Sequence, residues 1–166
     1  MKTLRYTIHV FFSFVLAISL FQPSILFSTL AESSGSFIYE LSDNNAVITG
    51  YTGNESTVVI PDEVDSHTVI KIGDHAFDNN ITATSVSIPD TVTSIGNSAF
   101  NECIRLTDIT LSNSLTEIGD YAFFSCTNLK SIKFPSTLTT IGKGAFFLCS
   151  SITEYFIPKR DRKSVV

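Results

Sequence analysis

Apolar and polar positions between residues 69 and 158 recur with a fixed step. The motif Ile-Gly-x-x-Ala-Phe stands at 72–77, 95–100, 118–123 and 141–146, so its glycines, Gly73, Gly96, Gly119 and Gly142, fall 23 residues apart. The same step links Cys103, Cys126 and Cys149, then Leu106, Leu129 and Ile152, then Leu111, Phe134 and Ile157. A constant period in the twenties specifies a solenoid, each repeat forming one coil. Within a coil, Leu106, Ile109 and Leu111 alternate with Asp108 and Thr110, the period of a strand with one buried face. Leu115 and Ile118 open a second short extended piece. Gly119 then predicts a turn with φ > 0, which a residue bearing a Cβ resists. Residues 120–125 predict a single helical turn carrying Ala122 and Phe123 inward. Stacked coil on coil, Phe77, Phe100, Phe123 and Phe146 would form an aromatic spine.

Before the repeats, residues 37–41 and 46–51 read as two strands joined by Ser42-Asp43-Asn44-Asn45, and 57–61 as a third strand ended by Pro61. The first coil of a solenoid would otherwise show its apolar face to water, so this meander is expected to be a cap. Ile60 matches Ile88 in phase except that they are 28 residues apart, and the five extra residues, around Glu63-Val64-Asp65-Ser66-His67, are expected to loop out.

Composition places this solenoid outside the cell. Lys2 and Arg5 precede an apolar run over 10–21, and Ser28-Thr29-Leu30-Ala31 offers small residues, the layout of a secretory signal peptide. An uncleaved anchor is the alternative, although the run is short for a membrane span. The organisation expected is therefore a signal peptide over 1–31, a linker over 32–36, a cap and irregular first coil over 37–68, four 23-residue repeats over 69–158 and a basic tail over 159–166. Residues 32–158 carry 15 acidic side chains against 5 basic ones, a net charge of −10, which argues against nucleic acid or an anionic membrane as partner. A fifth coil would need apolar residues at 161 and 164, and the chain has Asp161 and Ser164. Either a charged tail shields the last coil, or the chain is a truncated array that self-associates through its open end.

The run Cys126-x-x-Leu129-x-x-Ile132-x-Phe134-Pro135-x-x-Leu138-Thr139-x-Ile141-Gly142-x-x-Ala145-Phe146-x-x-Cys149 resembles the BspA-like class of leucine-rich repeats, and so does Ile48-Thr49-Gly50-Tyr51-Thr52-Gly53. The resemblance covers about residues 37 to 158. It implies a β-rich solenoid with short parallel strands and no long helices. It also implies a secreted or cell-surface protein of host-associated microbes that works by binding, with no catalytic residues to carry over.

The chemistry-bearing residues fit that picture. Cys103, Cys126 and Cys149 would stand in line, the outer two ~10 Å apart, too far for thiolates sharing one metal with bonds of ~2.3 Å. Export permits a disulfide between neighbours, but parallel Cβ vectors suit it poorly, and buried free thiols are expected. His67 and His75 have no nucleophile and orienting group in evident register, so no catalysis, metal or cofactor is expected. Asn54-Glu55-Ser56 and Asn80-Ile81-Thr82 fit the glycosylation sequon. Outward strand positions form two columns, Ser85, Asp108, Ser131, Glu154 and Ser87, Thr110, Lys133, Phe156. Among them, Asp108, Thr110, Ser131, Lys133, Glu154 and Phe156 are the candidate binding residues. The partner expected is an extracellular protein or cell-surface glycan. Phe124 and Phe147 offer a second stripe, with packing against neighbouring rungs the simpler expectation.

Overall fold

A computed structural model describes residues 31–156, so the leader, the basic tail and residues 157–158 lie outside the described residues. The strands follow in order as β1 (Glu32–Ser34), β2 (Phe37–Ser42), β3 (Asn45–Tyr51), β4 (Thr57–Val59), β5 (Glu63–Val64), β6 (His67–Ile72) and β7 (Ser85–Ser87). They continue as β8 (Ser94–Ile95), β9 (Asp108–Thr110), β10 (Glu117–Ile118), β11 (Ser131–Lys133), β12 (Thr140–Ile141) and β13 (Glu154–Phe156). Each coil has three sides. One carries the rungs β4, β7, β9, β11 and β13, the second carries β6, β8, β10 and β12, and the third is built of turns. The chain is a β-solenoid with a 23-residue period.

The cap is more extensive than its sequence suggested. The segment expected as a linker supplies β1, paired antiparallel to β2 with Glu32 opposite Tyr39. After the β2–β3 hairpin, β3 pairs parallel with β6, so the last strand of the cap is also the first rung of the second side. The five-residue insertion is not an open loop. It folds as a hairpin of β5 on β6 whose turn residues, Asp65 and Ser66, have φ of 46° and 69°. Val64 is drawn into the core, and Asp65 reaches back to the cap, where its Oδ2 accepts from the buried Tyr39 hydroxyl at 2.8 Å. The same hydroxyl lies 2.9 Å from Glu32 Oε2.

The third side departs from the expected helical turn. Among the described residues there is no helix. Instead, amides alternate between two kinds of partner. Ala76, Asp78 and Asn80 donate three residues back, to Gly73, His75 and Phe77, while His75, Phe77 and Asn79 donate to Asn97, Ala99 and Asn101 of the next coil at 2.7–3.0 Å. The alternation needs left-handed residues at fixed places: His75, Ser98, Tyr121 and Gly144 form one such column, and Asn79, Glu102, Ser125 and Leu148 another. The physical reason is spacing. Adjacent strands sit ~4.8 Å apart, whereas a helix with its side chains is ~10 Å across, so a helix could not be repeated at every rung without splaying the coils.

The repeat glycines likewise serve a different end from the one expected. None of Gly73, Gly96, Gly119 and Gly142 has positive φ. They are glycines because the preceding coil leaves no room: a Cβ on Gly96 would lie 2.6 Å from Asp74 N, and one on Gly142 would lie 2.4 Å from Asp120 N.

Apolar side chains fill the middle. Phe77, Phe100, Phe123 and Phe146 stack with ring centroids 4.9–5.2 Å apart. The column runs on into the cap through Tyr51 and Phe37, each step 5.1 Å. Beside it, Cys103, Cys126 and Cys149 are buried and unbridged. Each thiol donates to the carbonyl of the spine phenylalanine one coil earlier, at 3.0–3.1 Å. The neighbouring thiols, and then burial, push the Cys126 thiol well above its usual range.

Candidate binding face

The outward columns read from the sequence exist as parallel ladders. Ser85 pairs with Asp108 and Ser87 with Thr110 across β7 and β9, and Ser131 pairs with Glu154 and Lys133 with Phe156 across β11 and β13. Val58, Val86 and Ile132 point into the core from these strands, which leaves the alternate residues outward. Asp108, Thr110, Ser131 and Lys133 are exposed, while Ser85 and Ser87 are half-buried. Asp108 accepts a hydrogen bond from Thr107 Oγ1 at 2.7 Å. For Glu154 and Phe156 the register alone is described.

The face is not one continuous sheet. β4, β7 and β9 form one ladder and β11 and β13 another, with no pairing between β9 and β11. At the near end of these strands the coils still touch, Lys130 N donating to Thr107 O at 3.1 Å. At the far end they part. Ile60 N donates to Ser87 O and Ile88 N to Thr110 O in earlier coils, but the matching bond from Leu111 N to Lys133 O is missing among the described residues. Two local features account for the opening. Ser112 stands where other coils have Pro89 and Pro135, and its buried hydroxyl donates to Val92 O at 2.6 Å, tying this corner to the coil before it. On the other wall, Phe134 fills a slot occupied by Ile60, Ile88 and Leu111 elsewhere, and packs edge-on against Phe146 with centroids 5.5 Å apart. The larger ring holds its strand away. Ile109 is correspondingly only half-buried, unlike its counterparts Val86 and Ile132.

The parting leaves a crevice of about 230 Å³ lined by Ile109, Thr110, Leu111, Lys133, Phe134 and Pro135, with Asn113 at its rim. Two of the candidate residues, Thr110 and Lys133, face each other across it. The crevice was missed from sequence. The available signal was Ser112 in a proline slot.

Other sites are dispersed. On the turn side, Phe147 is 60% exposed and stacks on Phe124 at 5.8 Å, and Tyr121 meets Phe124 edge-on at 5.9 Å. This stripe is therefore partly open to solvent. His67 lies in β6 with its ring nitrogen 3.0 Å from Asn44 O, and His75 pairs with Asp78 at 2.9 Å. Asn80 Oδ1 accepts from the amides of Thr82 and Ala83, closing the turn ahead of β7. Among the described residues, no three His, Cys, Asp or Glu side chains converge as a metal site.

The sequence profile of the BspA-type leucine-rich repeat region matches residues 51–163 in six copies. The chain belongs to this family. Among solved structures it is similar to a leucine-rich repeat protein from Bacteroides capillosus, with 30% identity and a TM-score of 0.70, covering 76% of this chain and 96% of that one. It is also similar to the T. pallidum leucine-rich repeat protein, with 28% identity and a TM-score of 0.62 over 74% of this chain and 69% of that one. A leucine-rich repeat protein from Bacteroides ovatus shares 25% identity with a TM-score of 0.62, over 76% of this chain and 41% of that one. No curated protein matches the chain by sequence. The BspA-type repeat is a protein-binding architecture, and that much of the function follows from membership.

Proposed function

We propose that this chain is a secreted or cell-surface adhesion module that binds an extracellular protein through its outward strand columns. The observation that supports this reading most is the registered array of Asp108, Thr110, Ser131 and Lys133, exposed side chains on a backbone tied to its neighbours on every side. A stack of short strands offers its partner a stiff surface that loses little entropy on binding, and weak contacts repeated every ~5 Å add up along an extended ligand. The apolar leader supports export, and the acidic body argues for a protein with basic and neutral contact residues. No catalytic role is assigned to any residue. The chain is to be tested by capture from a panel of matrix proteins and cell-wall glycans, repeated with Lys133→Glu and Phe156→Ser. Retention of one protein ligand by the parent chain, and its loss in either variant, supports the face. Capture unchanged in both variants, or capture of glycans alone, refutes this reading.

A further inference from the structure

We propose that the crevice between β9 and β11 receives a single acidic side chain of the protein partner, its carboxylate held between the Lys133 ammonium and the Leu111 N–H. This inference rests on the strand-face reading and names the chemistry of its central contact.

Three observations lead to it. The first is an unmet donor. Leu111 is 8% exposed, and its N–H has no acceptor among the described residues although Ile60 and Ile88 donate at the same place in their coils. A buried donor left without a partner is costly, and buried amides are nearly always satisfied. By phase, the Lys133 carbonyl that should have accepted it lies on the opposite wall, so a guest entering here meets one donor and one acceptor of the backbone.

The second is charge. Lys133 is the one basic residue at an outward strand position of this side among the described residues, and it lines the crevice. An ammonium and an amide N–H together offer two donors, the number a carboxylate takes with its two oxygens. Asp108 lies two residues before Thr110 on the same strand, and its charge repels a polyanion such as a nucleic acid or a sulfated polysaccharide. The face therefore selects one carboxylate set in a neutral or basic segment.

The third is size and lining. A volume of about 230 Å³ compares with ~30 Å³ for one water, enough for a carboxylate side chain together with a few waters. Ile109, Phe134 and Pro135 supply an apolar wall against which methylene groups pack. Glutamate fits this wall better than aspartate because its longer stem spans the apolar part before the carboxylate reaches Lys133.

The test uses blocked tripeptides as probes. Titration of acetyl-Leu-Glu-Leu-amide into the ¹⁵N-labelled chain is expected to move the Leu111 and Lys133 amide resonances saturably, with binding at least about tenfold weaker for acetyl-Leu-Gln-Leu-amide. Lys133→Met, which keeps the apolar stem, is expected to remove the preference between the two. Equal affinity for both peptides, or no saturable shift up to about 10 mM, overturns the proposal. The fate of the wider reading is separated by the captured protein ligand. If its binding is lost in Asp108→Arg and Ser85→Arg but unchanged in Lys133→Met, the face stands and the crevice falls. If all three variants bind normally, both fall.

Discussion

The rings of Phe100 and Phe123 lie 5.1 Å apart and within 2° of parallel. Each belongs to a different coil, so each ring's burial depends on its neighbour's coil being present. Phe123 is fully buried, whereas Phe147, on the same coil side one repeat later, is 60% exposed. Phe123→Ala is expected to lower stability by about 3–5 kcal/mol and Phe147→Ala by no more than about 0.5 kcal/mol. Urea unfolding followed by circular dichroism separates them, and equal losses would show that the ring column is not the core.

Glycine substitutions distinguish close approach from backbone conformation. Gly96 has no positive φ, but its missing Cβ would strike the backbone of the previous coil at 2.6 Å, while Gly35 has φ of 61° and nothing within 4 Å. Gly96→Ala is expected to cost about 3 kcal/mol because rigid backbone must move. Gly35→Ala is expected to cost about 1 kcal/mol, the left-handed penalty alone. Thermal unfolding of both variants checks the order, and a larger loss at Gly35 contradicts it.

These glycines also mark what was legible in the sequence. The coil, its period and the Phe77 to Phe146 column were readable because each recurs in strict phase. The reason for Gly96 was not, because its neighbour at 2.6 Å belongs to another coil and appears only once the coils are stacked. The left-handed positions fall instead at His75, Ser98 and Tyr121, whose identities vary and so left no pattern. Tyr51 continues the ring column out of phase, since the β5–β6 hairpin adds residues between it and Phe77. The binding columns were legible as a period of two, but the parting of β9 from β11 depends on Ser112 turning inward and on the bulk of Phe134, each a single departure from the repeat.

The cap should fail in alkali. Burial, then bonds to Asp65 and Glu32, push the Tyr39 phenol above its ordinary value of 10, and burial with the Glu55 carboxylate pushes Tyr51 up to about 12. Both folded values exceed the unfolded one, so the stabilisation is complete below pH ~10 and is lost as pH rises through the folded values. Stability measured by urea unfolding is expected to fall from about pH 10 upward. Tyr51→Phe is expected to make the fall between about pH 10 and pH 12 shallower. An unchanged slope in that variant contradicts the assignment. At neutral pH, Tyr39→Phe is expected to cost about 1–3 kcal/mol, because Glu32 and Asp65 lose their shared donor.

Thiol reactivity should follow depth in the stack. Cys149 is 8% exposed, Cys103 is 2% and Cys126 is 0%. With a maleimide under native conditions, Cys149 is expected to label first and Cys126 last, the latter at the rate of global unfolding. Mass spectrometry of timed samples reads the order. Rapid labelling of Cys126 in the folded chain would place it elsewhere than between two coils.

The central claim is that coils of 23 residues are interchangeable units that stabilise one another by stacking. Excision of residues 96–118 removes one whole coil and joins Ile95 to Gly119 in register. The account expects this shortened chain to keep its β-type circular dichroism and unfold cooperatively at a lower urea midpoint, because each coil contributes its own term and one interface. Removal of residues 96–115, three short of the period, is expected to leave the chain unfolded. If both deletions fold equally well, or neither folds, the coil is not the unit from which this protein is built.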